Sequence, residues 1–145
     1  MWVYTRVMKR SVCHCTNLRR VAQHVTHVYD EALAPCGLKL TQFGLLRNIE
    51  QLGEPNLMQL AKAMELDRST LGRNVRVVAR LGLVHLRGGD DERATVVELT
   101  RKGKEKLKQA VPRWEEAQLR IEKTLGPDGE ASIRQLLEHI SAINN

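Results

Sequence analysis

Arginine recurs through an acid-free stretch of this 145-residue chain. Between Arg68 and Gly89 it stands at positions 68, 73, 76, 80 and 87, with no Asp or Glu among them. Read as a helix, Ser69, Arg73, Arg76 and Arg80 share one face, while Leu71, Val75 and Val78 share another and would pack inward. Such a face suits anion recognition. A guanidinium fork grips a phosphate or reads a guanine edge, and small hydroxyl side chains allow close approach to a groove. Arg68, Ser69, Thr70, Arg73, Asn74 and Arg76 are therefore candidate nucleic-acid contacts. An isolated stripe of arginines is more often an ordinary solvated helix face. The missing acids, and the hairpin that follows, shift the reading.

That hairpin has the tip Gly88-Gly89-Asp90-Asp91-Glu92-Arg93. Phosphate would repel its acids. One reconciliation makes them local supports, with Asp91 pairing with Arg93 or another residue of the loop and holding it. Arg93 then enters a narrow minor groove, where arginine is attracted without reading every base.

The second group able to do chemistry is Cys13-His14-Cys15 with Cys36. A free Cys can be a small buried hydrophobe. Near a helix N-terminus or a cation it becomes a thiolate, open to oxidation or to a soft metal. Both readings stand for Cys13, Cys15 and Cys36. Arg19 and Arg20 lie close in sequence. His24 and His27 are one helical turn apart, more than two turns from Cys13, and read as solvated or interface residues. His85 and His139 are isolated.

The elements that must position these residues can be read from periodicity. Leu18, Val21, Ala22, Val25, Val28, Tyr29, Ala32 and Leu33 predict one long amphipathic helix over roughly 14–34, ended by Pro35 and Gly37. Thr41 is expected to cap a second helix with Phe43, Leu45, Leu46 and Ile49 inward, closed by Gly53-Glu54-Pro55. Leu57, Leu60, Ala61 and Met64 make a short third. Asp67 caps a fourth, to about Leu81, with Gly82 as its stop. The period then changes, and 83–99 reads as a β-hairpin. Thr100 starts a helix that passes Trp114, with a kink expected at Pro112. Gly126-Pro127 breaks the chain before a last helix bearing Ile133, Leu136, Leu137, Ile140 and Ile143. The fold class is mainly α with a small β-hairpin: a winged helix-turn-helix with a helical dimerisation region.

Bulk properties agree. The chain is the length of one domain. A net charge of +6 favours a nucleic acid or an anionic surface as partner. Aromatics at 3% argue against base stacking, and so against most single-strand and RNA binders. No apolar run approaches the roughly 20 residues of a membrane span. Met1 to Arg10 lacks the long apolar region of a signal peptide. Three cysteines do not make an extracellular disulfide framework. A cytoplasmic location is expected.

As an ordered set, several segments resemble the MarR family of transcription regulators. They are Gln59-Leu60-Ala61, Asp67-Arg68-Ser69-Thr70 with Arg73, Leu81-Gly82-Leu83-Val84, Asp91-Glu92-Arg93-Ala94, and Leu99-Thr100-Arg101-Lys102-Gly103. The resemblance runs from about residue 15 to the end. It implies one MarR-type domain over 1–145, with 39–100 as the DNA-binding lobe and 1–38 and 101–145 as the helical dimerisation region. It implies a homodimer on a pseudo-palindromic operator of duplex DNA, each recognition helix in a major groove and each wing in a minor groove. By the family pattern Asp91 steadies the wing and Arg93 touches DNA. Gly72 and Asn74 stand where the family often has other residues. In the hydroperoxide-sensing branch a reactive Cys sits at the place of Cys15, and a partner-subunit Tyr at that of Tyr29. A second partner Tyr of that branch is Leu40 here. If this arrangement holds, Cys15 faces the partner's 29–40 region. Cys13 or Cys15 would then meet Cys36 across subunits, as a disulfide or around a soft metal or metalloid. Within one chain Cys15 and Cys36 would be roughly 30 Å apart along the helix, against about 6 Å for a disulfide. The family also implies a pocket for a small aromatic acid or phenol, which Trp114, Arg19, Arg20 and Arg47 would line.

The resemblance implies a repressor, released by a small ligand, thiol oxidation or a soft metal or metalloid, with no required cofactor. The sequence lacks the common enzyme signatures: there is no phosphate-binding glycine loop, HExxH or nucleophile elbow. The remaining rival is a winged helix used for protein contacts without specific DNA binding. Its wing would tolerate acids or apolar residues on the 69–80 face.

Overall fold

The structure, a computed structural model, describes residues 13–91 and 93–144. The leader reading of residues 1–10 and the acid Glu92 lie outside the described residues. The order of elements is α1 (His14–Leu33), a 3-10 turn (Ala34–Cys36), α2 (Leu40–Leu52), α3 (Leu57–Ala63), α4 (Arg68–Arg80), β1 (Val84–Gly88), β2 (Thr95–Leu99) and α5 (Arg101–Ile143). The two strands pair antiparallel, with Val84 opposite Leu99 and Gly88 opposite Thr95. Asn56 bridges to Val96, and the Val97 amide donates to the Pro55 carbonyl at 2.9 Å. The wing is thereby tied to the turn before α3.

The core forms where these elements converge. Phe43, Leu45, Leu46 and Ile49 of α2 meet Leu60 of α3, Leu71, Val75 and Val78 of α4, Val97 of the wing and Leu107 of α5. Each large side chain moved from water contributes about 2 kcal/mol, and this cluster fixes the angle between α3 and α4. Tyr29 and Leu33 anchor the end of α1. Its beginning is uncovered: Leu18 is 52% and Val21 55% exposed.

Two local expectations change. Thr41 does not cap α2. Lys39 occupies that position, with its amide donating to the Gln42 side chain at 3.0 Å, and the Leu40 amide donates to Asp30 Oδ1 at 2.7 Å. These two acceptors satisfy amide groups that a helix start leaves open, so the helix begins earlier than Thr41 suggested. Pro112 stays within helical geometry. The non-helical residue in α5 is Gly126, at φ 68° and ψ 174°, just before Pro127. The break before the last helical segment lies there, as expected.

Candidate nucleic-acid interface

Asp67 starts α4. Its Oδ1 accepts from the Thr70 amide at 2.6 Å, and its Oδ2 accepts from the Thr70 hydroxyl at 2.9 Å. Those bonds, the amide foremost, hold the carboxyl below the usual carboxylate range. Thr70 Oγ1 in turn accepts from Arg73 Nη2 at 3.3 Å. The cap thus extends through a hydroxyl to a guanidinium one turn along.

With Leu71, Val75 and Val78 buried, the helix turns Ser69, Arg73, Arg76 and Arg80 to solvent. Arg76 lies back along the helix, its Nε donating to the Gly72 carbonyl at 3.0 Å. Arg68 is exposed at the first position. Asn74 is placed differently. It is half-buried and, with Thr41, Gln42, Leu45 and Val77, lines a pocket of about 150 Å³ between α4 and α2. Thr70 is also half-buried and occupied by Asp67.

The C-terminal end of α4 is fastened to the start of α5. Lys102 Nζ donates to the Leu81 carbonyl at 2.8 Å, and the Thr100 hydroxyl donates to the Gly82 carbonyl at 2.6 Å. An ammonium here satisfies an open carbonyl and the negative end of the helix dipole. Sequence reasoning gave Lys102 no role beyond its place in a matching segment, because the carbonyl it caps lies 21 positions earlier, in a different element.

At the wing tip, Asp91 Oδ1 accepts from the Arg93 amide at 2.8 Å and the Ala94 amide at 2.9 Å. The Thr95 hydroxyl closes the turn on the carbonyls of Gly89 and Asp91, each at 2.8 Å. Asp91 therefore holds the backbone of Arg93, and the Arg93 side chain is exposed. Arg87 plays a different part from the other arginines. Its Nη2 lies 3.1 Å from Glu54 and 3.6 Å from Glu98, so carboxylates offset its charge and fasten β1 to the turn before α3.

The candidate sensing residues are scattered. Cys13 is exposed at the N-cap of α1. The Thr16 amide, then the Cys15 amide and the Thr16 hydroxyl, hold its thiol below the usual range. Cys15 is exposed as well. Cys36 is 4% exposed and packed in the core with Leu33 and Leu38. A bond from Cys36 to a partner's Cys13 or Cys15 would require that core to open, so its placement fits packing. Among the described residues, no three His, Cys, Asp or Glu side chains converge on a metal site. His27 pairs with Glu31 at 3.2 Å on the open face of α1.

Tyr29 stacks on Trp114, with ring centroids 6.2 Å apart, and its hydroxyl donates to Gln118 of its own chain. Burial, then Glu122, pushes that phenol up. Trp114 also stacks on Phe43 at 5.7 Å, and the Arg47 guanidinium lies 4.6 Å over the indole. Trp114 and Arg47 are thus brought together, whereas Arg19 and Arg20 sit on the exposed first half of α1.

A capped helix with an outward guanidinium face, followed by a hairpin tied to the same core, defines a winged helix-turn-helix. Residues 37–94 match the model of the MarR family. The DNA complex of the Mycobacterium tuberculosis transcriptional regulator MosR is 35% identical; the alignment covers 92% of this chain and 100% of that one, with a TM-score of 0.78. The chain belongs to the MarR family of transcription regulators and is not an enzyme. Two further structures share the fold at 23% identity and a TM-score of 0.76. One is an Escherichia coli MarR mutant with operator DNA, covering 86% of this chain and 91% of that one. The other is Bordetella bronchiseptica BpsR, whose DNA binding is regulated by 6-hydroxynicotinic acid, covering 91% and 95%. No functionally curated protein matches by sequence. No described helix is long and apolar enough to cross a membrane.

Proposed function

We propose that this chain represses transcription as a homodimer on a pseudo-palindromic operator, with residues 39–100 as the reading lobe. The observation that carries the reading is the outward face of α4. There Ser69, Arg73, Arg76 and Arg80 are exposed, and the three arginines form no ion pair among the described residues, beside a wing that presents Arg93. Arg73 serves the major groove, and Arg76 the DNA backbone beside it. Arg68, Ser69 and Thr70 lie at the helix start, where phosphates pass. Arg93 reaches the minor groove from a loop that Asp91 stiffens. Asn74, facing α2, acts at the edge of this surface. Residues 1–38 and 101–145 form the dimer in this reading, which the exposure of Leu18, Val21, Leu119, Leu136, Leu137 and Ile143 supports.

Release is proposed to pass through Cys13. The exposed Cys13 thiolate attacks hydrogen peroxide: the O–O bond breaks, Sγ takes one OH to become a sulfenic acid, and the other leaves as hydroxide, which takes a proton from solvent to become water. A small aromatic acid, of the kind named for BpsR, is the alternative inducer; Arg47 and Trp114 supply charge and an aromatic face for it.

The test is binding of the purified protein to duplex DNA from upstream of its own gene, across a salt series, reduced and then oxidised. Specific binding whose log K falls linearly with log salt is expected, since neutralised phosphates release counterions. Loss of binding on oxidation, recovery with dithiothreitol and indifference of Cys13→Ser would support the thiol arm. Absence of duplex binding would favour the protein-interaction module.

A further inference from the structure

Gly72 lies in the middle of the recognition helix, where glycine costs helix stability relative to alanine. At two other positions the fold itself requires glycine. A Cβ on Gly103 would stand 2.0 Å from the Leu83 carbonyl oxygen, and one on Gly88 would stand 2.3 Å from that of Ala94. At Gly72 a Cβ would meet only Arg76 Nη2, at the ordinary contact distance of 3.5 Å, and the residue is helical. Among the described residues, nothing requires a glycine at this position.

The space it leaves opens outward. Leu57, Val75 and Leu86 floor a notch of about 410 Å³ between α4 and β1, with Arg68, Ser69 and Arg76 on its rim. Arg76 folds over Gly72 and donates to its carbonyl, which brings its guanidinium to the mouth. Duplex geometry says what belongs there. A sugar–phosphate strand separates a major groove from its neighbouring minor groove. A protein with a helix in one and a wing in the other must pass that strand between them. In this chain the passage between α4 and the wing is the notch. Its floor is apolar, as the face of a deoxyribose requires, and its rim is cationic, as a phosphate requires.

We propose that Gly72 keeps this notch open for one stretch of DNA backbone, its sugar against Leu57 and Leu86 and its phosphate under Arg76. The inference rests on the DNA-binding reading above. The test compares wild type, Gly72→Ala and Gly72→Leu, both helix-forming replacements, by thermal melting and by fluorescence anisotropy on the upstream duplex across a salt series. The alanine variant should melt about 3 °C higher and bind roughly tenfold more weakly. The leucine variant should bind more weakly still, with the slope of log K against log salt reduced by about one phosphate's worth. Wild-type affinity and slope in the alanine variant would overturn the proposal. So would a lower melting temperature in that variant, because the glycine's purpose would then lie inside the fold. A wild-type protein that ignores duplex DNA would sink the DNA-binding reading and this inference with it, an outcome distinct from both.

Discussion

Asp67 serves the helix start and, through Thr70, the guanidinium of Arg73. Because its folded-state pKa is depressed, its contribution is present above the ordinary carboxylate value and is lost as pH falls through the lower folded one. Asp67→Ala should therefore melt a few degrees below wild type from pH 7 down to about 4. The gap should close below that; a gap independent of pH down to about 2 would contradict the charge-based account. Further along, the proposed reading gives Arg73 and Arg93 two kinds of contact. Arg73→Ala should cost operator over random duplex by about 10- to 100-fold. Arg93→Ala should weaken all sequences alike and lower the salt slope by about one. Anisotropy on both duplexes would tell the two apart, and equal losses for both variants would void the assignment of roles. The residue types at these positions were legible from chain order, as was the Asp67 cap, because capping acts over three residues. The compensation of Arg87 by Glu54 was not, since the two are 33 positions apart.

At the scale of elements, the recognition helix and the wing are held by their neighbours. The wing tip depends on Asp91: Asp91→Ala removes the acceptor of two amides. It should reduce duplex affinity several-fold while shifting the melting temperature by under about 2 °C, as expected for an exposed loop. A melting loss as large as that of a core variant would instead make Asp91 a general stabiliser. The start of α5 presses on the residue before β1, where a Cβ at 103 would overlap the Leu83 carbonyl. Gly103→Ala should therefore destabilise by about 2 kcal/mol or more in urea unfolding. An unchanged midpoint would mean that α5 shifts freely. This junction also makes α5 a lever: Thr100 and Lys102 bind the carbonyls that end α4, so displacement of α5 moves the reading helix. Element order and most boundaries followed from periodicity and stop signals. Thr41 was misplaced because Asp30, ten residues before Leu40, provides an acceptor that only the tertiary contact supplies.

For the whole molecule, the telling feature is apolar surface left exposed among the described residues. Leu119 is 65%, Leu137 67% and Ile143 75% exposed on α5, alongside Leu18 and Val21 of α1. Exposed apolar side chains of this size and number are what the proposed dimer would cover. Under the dimer reading, Leu137→Glu should yield a monomer in sedimentation. Affinity for a two-half-site operator should fall by at least about 100-fold, because the second reading head is no longer tethered. A dimer that persists would place the interface elsewhere.

Helix spans, the change to a two-residue period at the hairpin, most of the caps and the basic face were all set by interactions within a few residues, and the sequence alone determined them. The same holds for the match to the winged class, which is an ordered run of such local signals. Tertiary structure decided what depends on distant groups meeting: that Cys36 is core rather than surface, that Tyr29 spends its hydroxyl on Gln118, that Asn74 faces α2, and that Gly72 opens on a notch. Burial and pairing are properties of the space between elements, and that space exists only once the helices have packed.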